Sequence, residues 1–160
     1  MADFYLKIDR IDGESTAKGF EKWIELTSFS WGLSQGGAGG GGGGGSAGKV
    51  SVQDFHFVAS TALQSPPLMC AAGTGEKFFK VVFAARRSGE VQAADFLKIQ
   101  LSEVLVSSYQ IGGTDGGEDV PSDQVSLSFR KIQMDVSQQG ADGTPTNRTC
   151  TYDVKTNSKF

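Results

Sequence analysis

Residues 36–48 read GGAGGGGGGGSAG, ten glycines in thirteen positions with no side chain larger than a serine hydroxyl. A segment with nothing to bury cannot build a core, so the fold must come from what flanks it. Upstream runs WIELTSFSWGLS (23–34) and downstream KVSVQDFHFV (49–58), both with the aromatic and β-branched content of strands. The glycine run is therefore expected to be a long loop between two strands of one domain. Glycine loses more backbone freedom on ordering than any other residue. Such a loop is expected to be mobile alone and fixed only by a partner, with a reach of about 40 Å if extended. Gly36, Gly40, Gly45 and Gly48 mark its span as a candidate assembly contact.

At 160 residues the chain is expected to be a single domain, 1–160, large enough for one core. Net charge is −3 with Lys and Arg scattered, which excludes the basic footprint of a nucleic-acid binder. The N-terminus, MADFYLKIDRIDGE, has no apolar run fit for a signal peptide, and no segment reaches the length of a membrane span. Synthesis in the cytoplasm without membrane insertion is the expectation. Cys70 and Cys150 lack CxxC spacing, so they are expected to be reduced, structural cysteines.

Alternation of apolar and polar residues dominates, clearest in DFLKIQL (95–101) and QVSLSF (124–129). Further strands are expected over 4–8, 24–31, 50–58, 78–84, 104–111, 129–136 and 149–154. The alternation changes phase near Glu103, as a β-bulge would make it do at a barrel corner. Turn chemistry at Asp12-Gly13, Ser88-Gly89, Gly112-Gly113, Asp115-Gly116-Gly117 and Asp142-Gly143 makes the strands mainly antiparallel. One helix is legible, with Ser65 as N-cap, Pro66 and Pro67 in the first turn, and Gly73 at C′. It is short and apolar, so it is expected to pack against the barrel. A second helical turn is readable, weakly, around 19–22. The expected class is mainly β: an antiparallel β-barrel or sandwich with one short flanking α-helix.

Several patterns suggest chemistry and fail on inspection. Residues 43–49 nearly match a phosphate-binding P-loop ending in Lys49, but Val50 stands where the Mg²⁺ hydroxyl should be and a strand follows instead of a helix. Short glycine patterns such as GxGxxG also arise by chance in such a tract. His56 is the only histidine and lies between Phe55 and Phe57, so it reads as a strand residue making one ordinary hydrogen bond rather than as a catalytic base. One histidine and two distant cysteines do not supply a zinc set. Asp115, Glu118 and Asp119 read as a solvated acidic turn, since their spacing is no calcium loop. Asn147 opens a formal glycosylation sequon that means little without a secretory signal. No catalytic, cofactor-binding or metal-binding residue is nominated.

The blocks FYLKIDRIDGES (4–15), WIELTSFSWGLSQ (23–35), the glycine loop, GKVSVQDFHFV (48–58), EVLVSSYQIGG (103–113), SLSFRKIQMDV (126–136) and YDVKTN (152–157) occur in that order. Together they resemble Hcp, the haemolysin-coregulated protein family of bacterial type VI secretion systems, over essentially the whole chain. The resemblance implies a non-enzymatic, cofactor-free tube protein: a β-barrel that forms hexameric rings and stacks them into a hollow tube like that of a phage tail. It implies as partners other copies of the chain, a VgrG-type spike, a contractile sheath, and effector proteins carried in the lumen. The protein would be cytoplasmic before assembly and then secreted through the apparatus without a signal peptide. No C-terminal effector extension is expected after Phe160. Alternation over 24–34 places Ser28, Ser30, Gly32 and Ser34 on one face, suited to a wet channel wall or to plain solvent exposure. A reading from another class is a soluble β-barrel binding a carbohydrate or other small ligand, with the glycine loop as lid.

Overall fold

The computed structural model describes residues 2–35, 50–87, 95–117, 120–139 and 143–160. Strands β1 (Ala2–Ile8), β2 (Ile24–Leu26) and β3 (Ser28–Ser30) lead to β4 (Leu33–Gln35) and, past the glycine segment, β5 (Val50–Val52). There follow β6 (Phe55–Ser60), helix α1 (Ser65–Thr74), β7 (Lys77–Arg87) and the 18-residue β8 (Asp95–Gly112). Strands β9 (Ser122–Ser128), β10 (Lys131–Gln139) and β11 (Pro145–Asp153) complete the chain. Every ladder is antiparallel, as the turn residues imply. The main sheet runs β2-β1-β7-β8-β9-β6-β3, with β10 branching from β8 and β11 beside it. Strands β4 and β5 form a separate ladder, with Leu33 opposite Val52 and Gln35 opposite Val50. The residues bordering the glycine segment are thus clasped together as a two-stranded neck.

The change of alternation at Glu103 is present, but its cause differs from the expected bulge. On β8 the buried positions are Ile99 and Leu101 before Glu103, and Val104 and Val106 after it. Glu103 itself takes φ 52°, a left-handed conformation that costs a non-glycine residue roughly 1–2 kcal/mol. The register is unbroken there, since Phe78 faces Val104 and Lys80 faces Ser102. Strand β7 changes phase at the same level: Phe78 and Val81 are buried while Phe79 and Lys80 between them are exposed. Beyond β8, the third line of chain passes from β9 to β10 through Phe129 and Arg130, and the Arg130 N–H donates to the Ser102 carbonyl at 3.0 Å. Three adjacent lines therefore exchange faces together, folding one sheet over itself. True register shifts lie elsewhere, between Val106 and Ser108 and between Ala85 and Arg86.

The segment read as one strand over 24–31 is two strands joined at Thr27. Its N–H and Oγ1 both donate to the Val58 carbonyl, at 2.8 and 3.1 Å. One half pairs with β1 and the other with β6, so the two edges of the main sheet are successive pieces of chain. No β2–β3 ladder closes the sheet among the described residues; of the two expected forms, the sandwich fits. Its interior is filled with side chains. Phe29 lies 4.3 Å from Phe83 and 5.0 Å from Phe4, ring centre to ring centre, and Phe55 and Phe83 are fully buried.

Helix α1 is where it was expected, with different caps. Gln64 holds the N-cap position without a side-chain cap bond, and Gly75, not Gly73, takes the left-handed C-terminal position at φ 69°. Ser65 instead accepts the Ala62 N–H at 3.0 Å and donates its hydroxyl to Asp123. Leu68 and Ala71 enter the core, whereas Pro66, Pro67, Met69 and Cys70 stay exposed. The stretch 19–22 forms turns, not a helix, with Gly19 and Lys22 at positive φ.

Two carboxylates tie the ends of the sheet to its surroundings. Asp123, fully buried, accepts hydroxyls from Thr61 (2.9 Å), Ser65 and Tyr109 (3.0 Å), fastening the base of α1 to β8 and β9. Burial, then the neighbouring Asp123 carboxylate, push the Tyr109 phenol above its ordinary pKa. Asp153 accepts the Lys155 and Thr156 N–H groups at 2.9 and 3.2 Å and lies 3.6 Å from the Arg130 guanidinium. Burial alone would raise its pKa. The Thr156 and Lys155 N–H groups together with Arg130 outweigh that and hold the carboxyl below its usual value.

Gly13 supports the β1–β2 connection through space rather than through positive φ. A Cβ there would lie 2.4 Å from the Trp23 carbonyl oxygen and 2.6 Å from the Ile24 Cα. Gly13→Ala is therefore expected to lower stability by about 1–3 kcal/mol or more through backbone displacement, seen as a lower urea midpoint. A midpoint unchanged from the parent protein would show that this approach does not matter. Asp153→Asn is expected to lower stability in a pH-dependent way. Because the folded pKa is depressed, the gap should be full above the unfolded aspartate value of about 3.9 and shrink as pH falls through the folded one. Urea midpoints measured across that range check the sign; a gap independent of pH would contradict it.

Candidate functional site

Alternation on four neighbouring strands builds a continuous outer face. The ladders place Ser30 of β3 opposite His56 of β6, His56 opposite Ser126 of β9, and Ser126 opposite Ser108 of β8. Two residues along, Ser28, Val58, Gln124 and Gln110 form a parallel row. None of these eight residues carries a carboxylate, amine or guanidinium. His56 Nδ1 and Ser126 Oγ are 3.2 Å apart, the single ordinary hydrogen bond expected of this histidine. The intervening row of Phe29, Phe57, Val125 and Tyr109 points the other way, into or against the core. The four strands span about 14 Å at the usual inter-strand spacing. The result is a surface mostly of hydroxyls and amides, with one imidazole and one valine, and an aromatic backing.

Ser28 and Ser30 are exposed together on β3. Gly32 and Ser34 do not continue that row, because the chain leaves the main sheet after β3 and Ser34 pairs with Ser51 in the β4–β5 ladder. Gly36, Gly40, Gly45, Gly48 and Lys49 lie outside the described residues, while Val50 begins a strand. Asp115 is exposed in a turn in which Gly116 has φ 77° and the Gly117 N–H donates to Thr114 at 3.0 Å. Glu118 and Asp119 are outside the described residues, among which no group of three metal-ligating side chains occurs. Cys70 and Cys150 are free and exposed.

Sequence reasoning missed the partners of Ser28 and Ser30 on the other three strands, because local alternation does not say which strands become neighbours. It also missed Asp123, which looks in sequence like another acid following a turn. Concavities lined by the described residues are open to the surface. One of about 430 Å³ at the β8–β9 connection is lined by Gly112, Gly113, Thr114, Gly117, Val120, Pro121 and Ser122. It presents no aromatic platform for a sugar ring, and the interior where a lidded barrel would hold a ligand is filled by phenylalanines. No helix among the described residues is long and apolar enough to cross a membrane.

Comparison with known proteins agrees with this architecture. Residues 5–136 match the family model described as type VI secretion system effector, Hcp. The chain is 40% identical over 141 residues to protein hcp1 of Pseudomonas aeruginosa, spanning 88% of this chain and 86% of that protein. The crystal structure of Hcp1 from Salmonella typhimurium superposes with a TM-score of 0.83 at 28% identity, covering 99% of both chains. A structure of a type six secretion system protein gives 0.91 at 26% identity over the full length of both. With the family model spanning most of the chain and the antiparallel sandwich preserved throughout, this protein belongs to the Hcp family of type VI secretion proteins.

Proposed function

We propose that this chain is the repeating structural subunit of a type VI secretion tube, with the face carrying Ser28, Ser30, His56, Ser108, Gln124 and Ser126 turned towards the lumen. The polar character of that four-strand face, with no carboxylate, lysine or arginine among its eight residues, carries the reading. A protein moving through a narrow channel meets the wall at close range along its whole path. Charges on that wall would hold oppositely charged cargo and repel the rest, because Coulomb interactions strengthen where water is confined. Hydroxyls and amides keep a hydrogen-bonded water layer without such selection.

Copies join head to tail in a closed hexameric ring, since heterologous contacts are what generate rings. Rings stack into a hollow tube that leaves the cell through the apparatus with a VgrG-type spike when a sheath contracts, carrying effectors inside. The role is structural rather than catalytic. Segment 36–48, by its glycine composition, is the part of the chain suited to ordering only against a neighbour.

Native mass measurement across micromolar concentrations is expected to give a hexamer as the main species. A monomer throughout that range would overturn the proposal. Ser30→Gln is expected to leave the ring mass unchanged while altering cargo retention, read by co-purification of effector with the ring. Loss of the ring in this variant would instead put Ser30 at a subunit boundary.

A further inference from the structure

Strand β7 opens with an aromatic knob between two amines. Lys77, Phe79 and Lys80 are all exposed, Phe79 to 81%, while Phe78 and Val81 among them are buried. Beside the knob, Lys77, Glu103, Leu105, Phe129, Arg130 and Lys155 line a groove of about 380 Å³. The acids here are taken: Glu76 lies 2.9 Å from Arg10, and Glu103 lies 3.3 Å from Arg130. Lys77, Lys80 and Lys155 have no ion-pair partner among the described residues. Knob and groove are thus basic around an apolar centre, and an apolar patch rimmed by charge is the pattern of a contact surface.

A cleft of the opposite sign lies at the other end of β9. Its volume is about 290 Å³, and Glu14, Glu25, Leu26, Thr27, Ala62 and Gln64 are among the residues that line it. Glu14 and Glu25 are exposed, and neither has an ion-pair partner among the described residues. Leu63, 73% exposed, adjoins Ala62. A cavity of roughly 150 Å³ already holds a benzene ring, so a phenyl side chain fits. Ser60, also in the lining, faces Ser122 at one end of β9, whereas Ser128 at the other end faces Leu105, and Leu105 faces Lys77. Six steps of about 3.3 Å along β9 put cleft and knob roughly 20 Å apart, so they cannot meet within one chain.

We propose that the Lys77-Phe79-Lys80 knob of one copy seats in the Glu14–Glu25 cleft of the copy in the next ring, phenyl against Leu26 and Ala62 and amine against carboxylate. Charge complementarity selects this occupant. Two amines flank an aromatic ring at one end, two carboxylates line a cleft with apolar walls at the other, and all four lack an ionic partner among the described residues of their own chain. The inference rests on the tube reading: a wall whose four strands lie side by side around the hole has its strand ends at the two mouths. Knob and cleft then face opposite mouths, and the contact is heterologous, so it repeats in one direction along the tube. Being partly ionic, it weakens as salt rises.

The test applies a zero-length carbodiimide, which joins a carboxylate to an amine only when they touch, to the full-length protein at low and high salt. The expected result is a linked peptide pair joining Lys77 or Lys80 to Glu14 or Glu25, within a product of double-ring mass that fades as salt rises. Phe79→Ser alone, and Lys77→Glu together with Lys80→Glu, should each keep single rings and lower double-ring product by about tenfold or more. Adding Glu14→Lys and Glu25→Lys to the charge-reversed variant should restore ring association. Wild-type rings without this link, links confined to single rings, variants that associate like the wild type, or variants that no longer form rings would overturn the inference while leaving the tube reading intact. A wild-type protein that is monomeric would overturn the tube reading, and this inference with it.

Discussion

The coordinated exchange of faces at the level of Glu103 is the constraint on which the rest of the structure depends. A β-strand buries alternate residues, so a long strand can serve two sides of a core only if its alternation is reset where it turns. Glu103 does this with one left-handed residue and no inserted one. The reset is useful only because β7 makes it at Phe79-Lys80 and the β9–β10 line makes it at Phe129-Arg130. A reset in one strand alone would bury polar side chains against the phenylalanine cluster and expose apolar ones, at a cost per residue comparable to the whole corner.

That fold in the sheet separates two kinds of surface. On one side, the second half of β8 joins β9, β6 and β3 in a broad polar face, bordered by Asp54, which accepts the Ser107 hydroxyl at 2.7 Å. At the corner itself, the same reset turns Lys77, Phe79, Glu103 and Leu105 outwards and opens the basic groove. The polar face and the groove at the corner are therefore both consequences of one backbone event.

Much of this was legible in the chain. The apolar alternation of 4–8, 78–84, 95–101 and 124–129 predicts strands that are present, and the phase change at Glu103 is visible because Leu101 and Val104 break the period. Ser65, Pro66 and Pro67 mark the start of the helix, but the sequence points to Gly73 as its end, whereas Gly75, two residues on, closes it. The first half of β11 was not legible. Residues 146–150 are exposed at every position, so no face carries an apolar signal. Asp123 and Asp153 were also out of reach, because their burial follows from strands and turns that meet only after folding. For the candidate channel face, Ser28 and Ser30 could be placed by alternation, whereas Ser108, Gln124 and Ser126 became their neighbours through long-range registers that no local pattern encodes.

Electron cryomicroscopy of the assembled protein tests the central claim most directly, because it locates the β3-β6-β9-β8 face relative to the hole. The account predicts a closed ring in which Ser28, Ser30, Ser108 and Ser126 point into the lumen, with the phenylalanine cluster directly behind them. A ring in which that face points outwards, or is covered by a neighbouring subunit, would contradict it.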